Sequence, residues 1–284
     1  MTSLALHDHG GDGPPLLLLH GAGRSRADWD AAARRLTARH RVLAADLPGH
    51  GGSPGRSPWT VDGVLDDIED ALDGLGLPGA ALAGHSLGGL IAVRYAETHP
   101  GVTPAAVNLD GFGWGRPGRY PDAARVREMG RAAAGAVQDA GYIERQTAYA
   151  ELFGVPAERA RAAALGTVRP LPDGRWQTLP ERTAALEMLD ALDALDAVPL
   201  LRRAPCPLLV VRARRPQPPT PGMEWFDALL AEFARDLDEE LALLTKERER
   251  AEVVEIDATH ALLLEEPEAV AELVGDFLAR VAGR

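Results

Sequence analysis

The sequence predicts an α/β protein: a mostly parallel sheet flanked by helices on both faces, with a helical cap inserted between two of the strands. Three observations predict it. Short apolar runs at residues 16–19, 41–45, 80–83, 105–109, 208–211 and 252–256 alternate with stretches of helical spacing, the pattern of parallel strands joined by crossover helices. From about residue 120 to 200 that alternation stops, and amphipathic stretches are broken by Gly141, Gly154, Pro156, Gly166, Pro170, Pro172, Gly174, Pro180 and Pro199 without a strand run. Finally, Gly84-His85-Ser86-Leu87-Gly88 stands at a strand-to-helix junction. The division expected is a core of residues 1–115 and 201–284 and a cap of 116–200.

Taken in order, Leu4 and Leu6 alternate with polar neighbours and Gly10-Gly11-Asp12-Gly13 follows, so the opening reads as a hairpin leading into the strand at 16–19. Trp29, Ala32, Ala33 and Leu36 then recur at helical spacing before the strand at 41–45. Val64, Leu65, Ile68, Leu72 and Leu75 mark a helix with an acidic outer face, ended by Gly76 and Pro78. After the helix that follows Ser86, stopped by Pro100 and Gly101, the strand at 105–109 leads to Asp110. That residue lies at a carboxyl end of the sheet, where ligands bind in open α/β folds. Within the cap, Tyr120, Tyr142, Tyr149, Phe153 and Trp176 suit either a lid over an apolar pocket or packing between cap helices. Leu186, Leu189, Leu192 and Leu195, interleaved with Asp190, Asp193 and Asp196, read as one helix rather than a metal site. Phe226, Leu230, Phe233, Leu237, Leu241 and Leu244 mark a long helix, and Val270, Leu273, Val274, Phe277 and Leu278 the last one.

G-x-S-x-G between a strand and a helix has a physical logic. Small residues on both sides of the serine let the backbone make a tight, strained turn that lifts the hydroxyl clear of the sheet at a helix N-terminus. A serine hydroxyl is a poor nucleophile at neutral pH and needs a base within hydrogen-bond reach, itself held in one tautomer by a third group.

Three further blocks accompany this one: Leu16-Leu17-Leu18-Leu19-His20-Gly21-Ala22-Gly23, Asp46-Leu47-Pro48-Gly49-His50-Gly51-Gly52-Ser53, and Asp257-Ala258-Thr259-His260 followed by Glu266-Pro267-Glu268. With them the chain resembles the serine-type α/β-hydrolase superfamily, in the manner of a capped esterase or lipase, over most of its length. The resemblance implies the α/β-hydrolase fold, Ser86 as nucleophile, His260 as base and the amides of Ala22 and Leu87 as the oxyanion hole. His20 and His50 then brace their loops. Arg24 and Arg26, just past the oxyanion loop, are candidates to grip a substrate carboxylate or else ordinary surface arginines, and Trp114 is a further candidate substrate contact. The triad acid departs from the family's commonest pattern: the loop Arg212-Ala213-Arg214-Arg215-Pro216-Gln217 carries no carboxylate. In a subset of the family the acid follows the strand after the nucleophile helix, the place of Asp110. Glu224 and Asp227, or no acid at all, are the alternatives.

The reading that follows is a serine hydrolase acting on an ester, thioester, lactone or similar acyl substrate through an acyl-enzyme on Ser86. The alternative is a non-hydrolytic small-molecule receptor or cyclase on the same fold. Neither requires a cofactor or a metal. A net charge of −12 argues against nucleic acid and anionic membrane surfaces, leaving a small-molecule acyl substrate as the expected partner and oligomeric state open. Cys206 is the sole cysteine, which rules out an intramolecular disulfide and a cysteine-rich zinc site. No apolar run reaches membrane-spanning length and Lys246 is the only lysine among many arginines; a cytoplasmic protein of a GC-rich bacterium is expected.

Overall fold

The computed structural model describes residues 4–113, 118–219 and 221–283. Its elements, in chain order, are β1 (Leu6–Gly10), β2 (Pro15–Leu19), α1 (Asp30–Leu36), β3 (Arg41–Ala45), α2 (Val61–Gly74), β4 (Ala81–His85), α3 (Leu87–Thr98) and β5 (Ala106–Leu109). There follow α4 (Ala123–Ala133), β6 (Val137–Gln138), α5 (Tyr142–Glu151), α6 (Ala157–Leu165), β7 (Val168–Pro170), β8 (Trp176–Thr178), α7 (Arg182–Asp193) and α8 (Ala197–Arg203). The chain ends through β9 (Leu208–Ala213), α9 (Glu224–Glu247), β10 (Ala251–Ile256), α10 (Leu262–Glu265) and α11 (Pro267–Ala282).

Seven strands form one sheet in the order β1-β3-β2-β4-β5-β9-β10, antiparallel only at β1–β3. The strands read as near-continuous apolar runs because both faces are covered, as parallel crossovers require. Leu16 and Leu18 face a core layer with Trp29, Leu36, Val274 and Phe277. Leu17 and Leu19 face the opposite one with Trp59, Ile68, Leu72 and Ile91. The expected opening hairpin is not formed: β1 pairs with β3, Leu6 opposite Ala45, and β2 lies beyond β3. Alternating residues identify a strand but not its partner.

Between β5 and β9 the chain leaves the sheet. Along with helices α4 to α7 it forms a three-stranded antiparallel sheet of order β6-β8-β7, a feature the sequence pattern does not anticipate. Strands of two or three residues are too short to show a period. The expected boundary at residue 200 falls inside α8, which buries Ala197, Leu200 and Leu201 against Leu90 and Val93 of α3. The leucine–aspartate repeat forms most of α7, which ends at Asp193. Among the described residues no helix is long and apolar enough to cross a membrane.

Candidate active site

Ser86 sits between β4 and α3 with φ 53° and ψ −118°, a combination that costs a non-glycine residue conformational energy and is held only because its surroundings dictate it. The turn is so tight that a Cβ on Gly84 would lie 2.0 Å from the Gly88 carbonyl oxygen, and one on Gly88 would lie 2.4 Å from that of Leu19. Two backbone bonds fasten it: Ser86 N–H donates to Leu109 O (2.9 Å) across to β5, and Gly89 N–H donates to Ser86 O (3.0 Å). Leu87 is the first helical residue of α3, so its amide belongs to the turn whose N–H groups have no intrahelical acceptor.

His260 follows β10 and is half exposed. Its Nδ1 donates to Asp110 Oδ2 at 2.6 Å. Asp110 adopts φ 50°, a left-handed conformation that aspartate tolerates better than most side chains. Its other oxygen accepts the Ala213 N–H at 3.0 Å, and its own N–H donates to Val211 O at 2.7 Å. Of the three carboxylates open at the sequence level, Asp110 therefore meets the imidazole. Glu224 accepts from Gly222 N–H at the start of α9, and hydrogen bonding from its own backbone N–H first, then from that of Gly222, holds its pKa below the ordinary value; Asp227 lies in the same first turn.

The sequence reading missed the braces of this pair. Asn108, fully buried in β5, donates through Nδ2 to Gly111 O (2.9 Å) and accepts from Gly111 N–H (2.6 Å), shaping the loop that carries Asp110. An amide side chain inside an apolar strand was the available signal. On the other side, Glu265 accepts from Thr259 N–H (3.0 Å) and from the Thr259 hydroxyl, and pairs with Arg215 Nη1 (3.1 Å). His85 donates Nε2–H to the His260 carbonyl at 2.8 Å. Burial first, then the neighbouring His260, push the His85 pKa well below its ordinary value, so the ring stays neutral.

His20 and His50 tie the loop holding Ala22 to the 46–53 turn. His20 donates Nδ1–H to Gly21 O (2.7 Å) and accepts Leu47 N–H at Nε2 (2.9 Å). His50 donates Nδ1–H to Pro48 O (3.1 Å) and accepts Gly23 N–H at Nε2 (3.1 Å). Each bond set requires one unprotonated nitrogen, so both rings are neutral. Burial takes His20 down to about 4 and His50, with His20 beside it, to about 3. The unfolded chain, with ordinary histidines, binds protons first as pH falls below about 6.5, so these residues destabilise the fold progressively from there to about pH 4 for His20 and about pH 3 for His50. The expected slope is on the order of one kcal/mol per pH unit for each. Urea midpoints measured from pH 7.5 to 4.5 check it: His50→Gln, although less stable at pH 7.5, should show a flatter decline than the parent.

Ser86, His260, Ala22 and Arg24 line one cavity of about 280 Å³, to whose lining the inserted segment contributes Tyr149 and Phe153. Arg26 lies elsewhere, its N–H and guanidinium bound to Asp46, and Trp114 lies outside the described residues. Among the described residues no three His, Cys, Asp or Glu side chains converge as a metal-binding group.

A family model described as the alpha/beta hydrolase family matches residues 16–273. A pimeloyl-[acyl-carrier protein] methyl ester esterase of Methylococcus capsulatus is 32% identical over 207 residues, 72% of this chain and 77% of that protein. The lipase LipV of Mycobacterium tuberculosis is 34% identical over 130 residues, and the match spans 45% of this chain and 47% of the lipase. The crystal structure of E-2-(acetamidomethylene)succinate hydrolase superposes with a TM-score of 0.75 at 24% identity, covering 98% of this chain and 96% of that one, a likeness of fold.

Proposed function

The chain belongs to the alpha/beta hydrolase family, and from that premise we propose that it is a serine hydrolase cleaving an ester, thioester, lactone or similar acyl bond through an acyl-enzyme on Ser86. One observation carries the reading: a strained serine at a helix N-terminus shares a cavity with a histidine whose Nδ1 is bonded to a carboxylate. Asp110 accepts the Nδ1 proton and so leaves Nε2 of His260 unprotonated, the form able to take a proton. Ser86 Oγ attacks the acyl carbon as its proton passes to His260 Nε2, and the carbonyl oxygen becomes an oxyanion stabilised by the Ala22 and Leu87 amides. The tetrahedral centre collapses, the leaving alcohol or thiol departs with the proton from His260, and the acyl group remains on Ser86. Water, deprotonated by His260, then attacks the acyl-enzyme, releasing the carboxylic acid and restoring the serine. The inserted segment from α4 to α7 acts as the cap that shapes the substrate cavity, to which it contributes Gln146, Tyr149 and Phe153.

Treatment with a fluorophosphonate probe tests the reading, since only an activated serine reacts rapidly. Labelling of the intact protein within minutes, located on Ser86 by peptide mass mapping, is expected. A folded protein that resists the probe would instead be a receptor that keeps the pocket without the chemistry.

A further inference from the structure

Arg24, close to the nucleophile, is held at two points by one carboxylate. Its Nε and Nη2 donate to both oxygens of Asp28, at 2.7 and 2.8 Å, and Asp28 is buried. The fork fixes the guanidinium plane. Arg24 and Asp28 both line the cavity that holds Ser86. The point where a Cβ on Gly21 would lie is 3.2 Å from Ser86 Cβ and 3.6 Å from Arg24 Cγ, so the arginine stem begins beside the nucleophile. An ion pair taken out of water carries a desolvation cost that a loop staple at the surface would avoid. Among the described residues, Arg24 Nη1 donates to no protein acceptor, and its side chain keeps about a third of its surface exposed.

A second cavity, of about 110 Å³, is also lined by Arg24 and, from α5, by Gln146. Gln146 borders the larger cavity too, so Arg24 and Gln146, both bearers of N–H donors, are shared by the two spaces. The same wall carries the apolar surfaces of Tyr149, Phe153 and Leu264.

Resting on the proposed function, we infer that Arg24 and Gln146 form a polar subsite selecting acyl substrates that carry a second, uncharged carbonyl group. The donors on Nη1 and on the Gln146 amide match the lone pairs of a ketone or amide oxygen. A carboxylate is disfavoured, because Asp28 already balances the guanidinium. The other carboxylate in the wall, Glu265, is likewise paired with Arg215. The subsite as a whole therefore offers directed donors without net positive charge.

Hydrolysis by pH-stat of matched esters tests this: methyl hexanoate against methyl 4-oxo- and 5-oxohexanoate, and hexyl acetate against 4-oxo- and 5-oxohexyl acetate, with monomethyl adipate as the anionic member. At least one oxo ester should exceed its parent in kcat/KM by about ten- to hundredfold, the scale of a hydrogen bond from a charged donor. In Arg24→Gln that ratio should fall to within about threefold of one. Should this variant melt prematurely with Asp28 left uncompensated, the double variant Arg24→Met/Asp28→Leu removes both charges and carries the same reading. Calorimetric binding of each pair to Ser86→Ala protein reads the subsite without turnover, so a failed hydrolase assignment is separable from a failed subsite. No oxo preference in either assay, a preference that survives loss of Arg24, or preference for the adipate monoester over every oxo ester would overturn the inference.

Discussion

Ser86→Ala is expected to abolish acyl turnover, by about 10⁵-fold or more, while leaving the protein folded. The expectation has two parts. Ser86 is the nucleophile of the proposed mechanism, and among the described residues it is the only serine that lines the cavity with His260. The backbone at this position is already strained, and alanine bears the same strain as serine at φ 53°, so the melting temperature should shift little. Comparison of kcat with thermal denaturation of the same preparation checks both. Turnover above about one-thousandth of the parent rate, with the fold intact, would place the nucleophile elsewhere.

Asp110→Asn is expected to lower turnover by roughly 10⁴-fold, the scale seen when the acid of a serine triad is amidated. Asparagine preserves the shape and still offers an oxygen to the Ala213 N–H, now at 3.0 Å from Asp110 Oδ1. Its NH₂ group, turned toward His260 Nδ1, would favour the tautomer with the proton on Nε2, the one that cannot accept from serine. Glu224→Gln and Asp227→Asn should each change kcat by less than about threefold, since both side chains belong to the first turn of α9. Assaying the three variants in parallel, with melting temperatures, separates an orienting carboxylate from general destabilisation. Near-full activity in Asp110→Asn would show that the imidazole is oriented by something else.

Much of the site was legible because it is written in local chemistry. A glycine where the backbone of another element passes within contact, as at Gly84 and Gly88, leaves no freedom of residue type, and the G-x-S-x-G spacing records that constraint. His260 was readable through the resemblance of Asp257-Ala258-Thr259-His260 to the family's histidine loop after the last strand run. Arg24 was legible as a candidate, but not the fork to Asp28 four residues on, from which the proposed preference for a neutral acceptor over an anion follows.

What the sequence by itself determined is the layered α/β architecture, the order of its parallel strands along the chain, and the serine at the turn, because each depends on neighbours a few residues apart. What only the tertiary structure decided is which groups meet across the sheet. Asp110 and His260 are 150 residues apart and touch because β9 lies between β5 and β10. There the end of β9, lacking an acid of its own, supplies the Ala213 amide that fixes Asp110. The β1–β3 pairing and the small sheet of the inserted segment escaped the sequence for a related reason: strand pairing is a long-range choice, made by whichever edge is left open once the buried strands have packed.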